Sequence, residues 1–157
     1  MLDPTLIGQA LVSTLQNIPT LVSALNNTSA NISLHKFQYG MDYRLKEAVY
    51  KMVPPAILIA WDGTKGGNFS GQQIWKHPFL GFARLQNQTG AETPISLSDL
   101  WVLIVNGKLG STTQNIRQVQ IYSGVDIMDT PSSFVRQDEE GMDFLEFQMV
   151  FPEIGDN

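Results

Sequence analysis

Asp62 is the residue whose position most suggests chemistry. It lies near the end of the segment VPPAILIAWDGT, residues 53–64, in which a run of mostly apolar residues is followed by Asp-Gly-Thr. Some enzymes present a catalytic acid in this way, at the end of a buried strand and beside a glycine turn. A strand that simply ends is the alternative, because Asp and Gly are both common turn residues.

The ending of this segment is similar to part of the Asp-x-Asp-Gly-Thr motif of the haloacid dehalogenase phosphatases. In that motif the first aspartate attacks phosphorus, and the second works as acid and base. Ala60 stands at the position of the nucleophile in this chain, so the covalent step has no attacking group. We therefore interpret Asp62 and Gly63 as a polar turn after a buried strand.

Histidines and neighbouring acids are the other candidates for chemistry. Neither His35 nor His77 has the local spacing of a zinc site, and we expect His77 to be a structural or surface residue. A glycosidase needs two carboxylates that face each other across a cleft, whereas adjacent acids in a hairpin tip are solvated. The close pairs are Glu139 with Glu140 and Asp126 with Asp129. We predict no catalytic, cofactor-binding or metal site, and no enzyme.

Length and composition indicate one globular domain over residues 1–157. Apolar residues make up 43% of the chain and charged residues 16%. So low a charged fraction suits a protein whose surface is largely covered by partners. The chain has no cysteine, which excludes disulfides, thiolate zinc sites and a cysteine nucleophile.

Charge and apolar runs exclude two kinds of partner. The net charge is −5, and residues 126–157 hold nine acids and one base, so no basic surface for a phosphate backbone is visible. The apolar runs AILIAW and LWVLIV are too short to span a membrane. The first residues lack the basic region of a signal peptide, so we do not expect one there.

The first third of the chain is predicted to form two helices and a strand. The first helix begins at Asp3-Pro4, and Pro19 ends or restarts it. The second, MDYRLKEAVYKM, ends before Pro54-Pro55, because proline lacks the N–H and restricts the preceding residue. A strand over 56–61 follows, apolar enough to be buried on both faces. The segment NNTSANIS, between the helices, is predicted to be a polar loop.

The middle of the chain is predicted to form a long strand and a third helix. The segment TKGGNFSGQQ is expected to be a glycine-rich turn or exposed loop. Residues 74–85 form the strand, in which Pro78 implies an edge position or a bulge. Ser96 begins the third helix and Gly107 ends it. This helix is apolar nearly all round, which indicates burial or contact with a neighbouring subunit.

The last fifty residues have the pattern of antiparallel strands. Strands are expected at 116–125, 132–137 and 143–151, with DEEG as the hairpin connection between the last two. Apolar residues alternate along the last strand, which indicates that one of its faces is buried. The order of elements predicts a single α+β domain, with a mixed or antiparallel sheet flanked by about three helices.

This order of elements resembles the tail terminator, or tail completion, proteins of long-tailed bacteriophages. The resemblance covers nearly the whole chain. It rests on five segments in sequence: DPTLIGQALVSTLQNIPTLV, LKEAVYKMVPPAILIAWDGT, WKHPFLGFARL, LSDLWVLIVNGKL and FVRQDEEGMDFLEFQMVF. It implies a structural virion protein, made in the host bacterial cytoplasm, at the head-proximal end of the tail.

The resemblance also implies the partners. Family members form a hexameric ring that ends polymerisation of the tail tube protein and presents a surface to the head-neck connector protein. DNA would cross the lumen without specific binding, and we expect acids such as those at 126, 129 and 138–143 to line it. The loops 65–72 and 87–93 are expected to touch the tube or neck.

Two alternatives stay open at this stage. A head–tail connector or another minor tail protein of similar length would have a comparable order of elements. A small enzyme of unknown class is the other, supported only by Asp62 and the scattered acids.

Overall fold

The chain folds around a six-stranded mixed sheet, in a computed structural model that describes residues 1–36, 42–91 and 94–154. The helices are α1 (Pro4–Gln16), α2 (Pro19–Ala24), α3 (Asp42–Tyr50) and α4 (Leu97–Asn106). The strands are β1 (Ile32–Leu34), β2 (Ala56–Trp61), β3 (Lys65–Phe69), β4 (Gln72–Arg84), β5 (Ser132–Gln137) and β6 (Asp143–Ile154). The predicted α+β class with a mixed sheet is confirmed.

The two long strands β4 and β6 form the centre of the sheet. They pair antiparallel over ten positions, from Ile74 opposite Ile154 to Ala83 opposite Leu145. The strand order is β1-β2-β4-β6-β5, and β1 is parallel to β2 while the other neighbours are antiparallel. β3 pairs with the first part of β4, along the same edge that β2 occupies further on.

Period-two alternation in β6 creates the main core. The odd-numbered side chains of this strand face α1, α2 and α4, and four of them are almost completely buried: Leu145, Phe147, Met149 and Phe151. The matching face of α1 supplies Ile7, Leu11 and Leu15, all fully buried. α3 covers the opposite face of the sheet, where Val49 packs with Leu58 and Phe82.

The helix boundaries follow from the capping residues. The side chain of Asp3 accepts the N–H of Thr5 at 2.9 Å, and Ser96 accepts that of Asp99 at 3.1 Å, so both predicted N-caps are confirmed. Pro19 restarts the chain as α2 rather than ending the helical region.

The structure corrects three predictions of local structure. The glycine-rich segment after Thr64 is not a loop, because a two-residue turn at Ser70-Gly71, with φ of 53° and 79°, folds it back as β3. Residues 32–34 form a short parallel strand that begins in the last two residues of the predicted polar loop. Residues 116–125 do not form a strand: they begin with a 3₁₀ turn that Asn115 and Gln118 cap reciprocally, and only Val125 forms a bridge to β6.

Asp62 lies in a β-bulge, and the prediction that it leads into an exposed loop is wrong. Trp61 lies opposite Phe79 and Lys65 opposite Lys76, so three residues, 62–64, face two on β4. The N–H of Asp62 donates to the carbonyl of Pro78 at 2.9 Å. The N–H that proline lacks would point to the same side as this carbonyl, so Pro78 is accommodated opposite the bulge, whereas the edge position considered for it is wrong, because β4 is paired on both sides.

Gly81→Ala tests the close packing of the central strand pair. A Cβ at this position would overlap the ring of Phe147 on β6, so we expect the free energy of unfolding to fall by about 1–3 kcal/mol. Urea denaturation measures the change. If the ring is the cause, Gly81→Ala combined with Phe147→Leu should lose less than the sum of the single changes. Simple additivity would contradict this explanation.

Candidate functional site

A chain of hydrogen bonds lies beside the bulge, on the core face of the sheet. Oγ1 of Thr64 is 2.8 Å from Nδ1 of His77, and Nε2 of His77 is 2.8 Å from Oε1 of Glu153. The Glu153 carboxylate also accepts the N–H of Leu2, at 2.9 and 3.1 Å to its two oxygens. The indole Nε1 of Trp61 donates to Oγ1 of Thr64 at 3.1 Å. We call these five residues the polar network.

The bonding partners determine the tautomer of His77. A carboxylate only accepts hydrogen bonds, so Nε2 of His77 carries a proton and donates it to Glu153. In the neutral imidazole, Nδ1 is then the acceptor for the hydroxyl of Thr64. The network therefore joins the bulge, both central strands and the residues before α1 through consistently oriented bonds.

The fold brings these residues together from distant parts of the chain. His77 and Glu153 are diagonal neighbours on the core face of β4 and β6, because Phe151 lies opposite His77. The bulge places Thr64 beside them. Sequence reasoning identified His77 as a structural or surface residue, and the structure places it in the core, but it did not find Thr64, Glu153 or the amide of Leu2. No local spacing could have shown partners that are 76 residues apart.

The polar network has the groups of an activated nucleophile but not the access that one needs. A hydroxyl, an imidazole and a carboxylate in series are the elements of a catalytic triad. Here His77 is 0% exposed and Glu153 7%, while the Thr64 hydroxyl is bonded to two neighbours. A reacting atom also needs space beside the nucleophile, and neither of two surface hollows, of about 890 and 370 Å³, is lined by Thr64 or His77. The hydrogen bonds of His77 connect the bulge to both central strands.

The other groups considered for chemistry are not brought together. Asp62 is exposed on the bulge, and His35 lies half-buried at the far end of β1. Asp126 is exposed, while Asp129 forms an ion pair of 2.8 Å with Lys76. In the described ranges, no group of three or more His, Asp or Glu residues could hold a metal ion. None of the helices described there combines the length and the apolar character needed to cross a membrane.

A second ion pair supports the hairpin between β5 and β6. Arg84, only 7% exposed, lies 3.0 Å from Asp138 and donates to the carbonyl of Val49 at 3.4 Å. The other oxygen of Asp138 accepts the N–H groups of Glu140 and Met142, both at 2.9 Å. One carboxylate thus closes the hairpin tip and attaches it to the central strand.

These contacts lower the pKa of Asp138 below its ordinary value of 3.8. The N–H of Met142 contributes most, and Arg84 and the N–H of Glu140 act in the same direction, while partial burial opposes them. Because the pKa is lower in the folded state, the stabilisation is present above the ordinary value and is lost as the pH falls through the folded one.

The outer strand β5 is largely exposed to solvent, with five of its six residues exposed. It lies at the end of the strand order, and in the described part of the chain no strand covers its outer side. Phe134 on one face is 44% exposed and Val135 on the other 50%. An uncovered edge of this kind, with apolar side chains on both faces, is a template for pairing with another chain.

The alternation of hydrogen-bonded and non-bonded pairs shows which backbone groups of β5 face outward. Asp138 and Met142 form a bonded pair, and bonded and non-bonded pairs alternate along an antiparallel ladder. The N–H and C=O groups of Ser133, Val135 and Gln137 therefore point away from β6. Val135 also lines the hollow of about 890 Å³, which lies beside this edge.

A second open edge lies on the other side of the sheet, at β3. In the described residues β3 pairs only with β4. The pair Phe69 and Gln72 adjoins the two-residue turn and is bonded, so by alternation the backbone groups of Gly66 and Asn68 point outward. At β1, by contrast, one outward backbone group is already bonded, because the side chain of Gln16 donates to the carbonyl of Ile32 at 3.1 Å.

Replacing Thr64 tests the polar network. Thr64→Val removes the hydroxyl and leaves Nδ1 of His77 without this partner in a fully buried position, so we expect a loss of about 1–3 kcal/mol in the free energy of unfolding. Thr64→Ser keeps the hydroxyl and serves as the matched control, with a much smaller loss. Urea denaturation compares the two. A loss in Thr64→Ser with none in Thr64→Val would show that the methyl group, not the hydrogen bond, stabilises this region.

Asp138→Asn tests the hairpin carboxylate through its pH dependence. At neutral pH the variant should be less stable than the parent, because the charge that pairs with Arg84 is gone. The difference in stability between parent and variant should shrink as the pH falls below 3.8, because Asp138 of the parent then loses its negative charge too. Denaturation at a series of pH values measures this, with Glu139→Gln as the control in the same tip. A difference that stays constant with pH would contradict the assignment.

Comparisons with known proteins add no assignment. No protein-family model matches the chain, and no curated protein matches it at a significant level. A functional conclusion therefore depends on the resemblance in the order of elements and on the geometry described above.

Proposed function

We propose that this chain is the subunit of a tail terminator ring. Copies of it form a hexameric ring at the head-proximal end of a phage tail tube, where the ring ends tube polymerisation and provides the attachment surface for the neck. The proposal is supported by the resemblance in element order and by the open edge of β5.

The exposure of β5 is the observation that carries the proposal. A stable monomer usually blunts an edge strand with charge, proline or a covering segment. On β5 the side chain of Arg136 lies over the ring of Phe134, at 4.4 Å from its centroid, and Val135 stays half exposed on the other face. An assembled particle would bury these side chains and give the outward backbone groups hydrogen-bond partners. The edge therefore suits an assembled subunit better than an isolated monomer.

The burial and bonding of the polar side chains support a structural rather than an enzymatic role. The imidazole and the carboxylate best placed for catalysis are enclosed in the polar network. The exposed acids Asp126, Glu139 and Glu140 face solvent. In a ring, exposed acids beside the lumen would repel the phosphate backbone and let DNA pass without binding. The partners proposed for the two ring faces are the tail tube protein and the neck connector protein.

Negative-stain images and native mass of the purified chain test the proposal, alone and with phage tail tubes that lack their own terminator. We expect closed rings of the 17.5 kDa chain, and density at one end of the tubes. Rings that never attach to a tube end would contradict the terminator role and favour a head–tail connector. A monomer that binds no tube end would contradict both.

A further inference from the structure

We propose that neighbouring copies join by antiparallel pairing of the β5 edge of one copy with the β3 edge of the next. The inference rests on the proposed ring and deepens it, because it names the surfaces by which a second copy of this chain binds. The sheet would then continue from subunit to subunit through backbone hydrogen bonds.

The two edges are complementary in position. They lie on opposite sides of one sheet, so pairing them is a heterologous contact, which closes into a ring when the rotation between copies allows it. Pairing β5 with β5 would instead be isologous and would stop at a dimer. The lengths also agree, since β3 has five residues and β5 has six.

Strand direction favours the antiparallel arrangement. β3 is antiparallel to β4, β4 to β6, and β6 to β5, so β3 and β5 run in opposite directions within one subunit. A sheet that continues into the next copy with its strand directions preserved places β5 antiparallel to β3. Outward N–H and C=O groups then meet, from Ser133 and Val135 on one copy and from Gly66 and Asn68 on the other.

Side chains on the two edges are complementary as well. β5 exposes the bulky Phe134 and Val135, and on β3 the indole ring of Trp75 fills the position that a side chain at Gly66 would take, so an aromatic surface lies at this edge. Antiparallel pairing also brings Lys65, at the start of β3, to the acidic hairpin tip that follows β5. Lys65 is exposed and takes no part in the ion pairs described within one subunit. Parallel pairing would place it at the other end of β5, away from those acids.

Val135→Pro tests the pairing without breaking the ladder inside the subunit. The N–H of Val135 points away from β6, so proline at this position removes only an outward donor. We expect the variant to unfold cooperatively, as the parent does, but to form no rings. Val135→Thr, which keeps the N–H, is the matched control and should still assemble. A Val135→Pro variant that forms rings as the parent does would overturn the proposal.

Cross-linking provides a second test that does not depend on a proline. The chain has no cysteine, so Asn68→Cys and Ser133→Cys introduce unique thiols on the two edges. With a short bifunctional maleimide, a mixture of the two single variants should give dimers, and the doubly substituted chain should give a series of larger products. Neither single variant should cross-link alone. Cross-linking of Ser133→Cys with itself, or no product from the mixture, would overturn the pairing.

The edge pairing and the terminator role fail separately in these experiments. Rings that form and cap tubes without the cross-link would refute the edge pairing and leave the terminator role intact. Cross-linked copies that never close into a ring or bind a tube end would refute the terminator role while supporting the pairing.

Discussion

The antiparallel ladder between β4 and β6 determines where nearly every other element lies. Because ten positions are paired without a break, each strand shows one continuous face to α1, α2 and α4. The aromatic side chains of Phe79, Phe147 and Phe151 fill that face, and Gly81 makes room for one of the rings. The same register places His77 beside Glu153, so the polar network is a consequence of the ladder as much as a support for it.

The bulge opposite Pro78 explains how a single edge of β4 serves two strands. The chain leaves β2, passes through Asp62 and Gly63, and resumes pairing as β3, so the polar segment that looked like an exposed loop extends the sheet. Thr64 turns inward at this point and ties the bulge to the core. The sheet therefore ends in backbone that has no partner in the described chain, at β3 on one side and β5 on the other. Assembly through these edges is the simplest use of that arrangement.

Local patterns predicted the elements whose stability is local. Capping at Asp3 and Ser96 and the alternation in β6 are signals read within a few residues, and the structure confirms them. Local sequence patterns gave wrong predictions where contacts between distant parts of the chain determine the secondary structure. Ile32–Leu34 is a strand only because β2 lies beside it, and 116–125 has alternating residues but no strand to pair with except at Val125. The hydrogen-bond partners of His77 could not be predicted for the same reason, because they lie far from it in the sequence.

A map of the assembled particle by electron cryo-microscopy tests the central claim most directly. The proposed edge pairing predicts a closed ring in which β5 of each copy lies antiparallel beside β3 of the next, with the acidic hairpin tip near Lys65. A ring in which β5 remains exposed to solvent would contradict the proposed interface, and a chain that stays monomeric on tail tubes would contradict the proposed function.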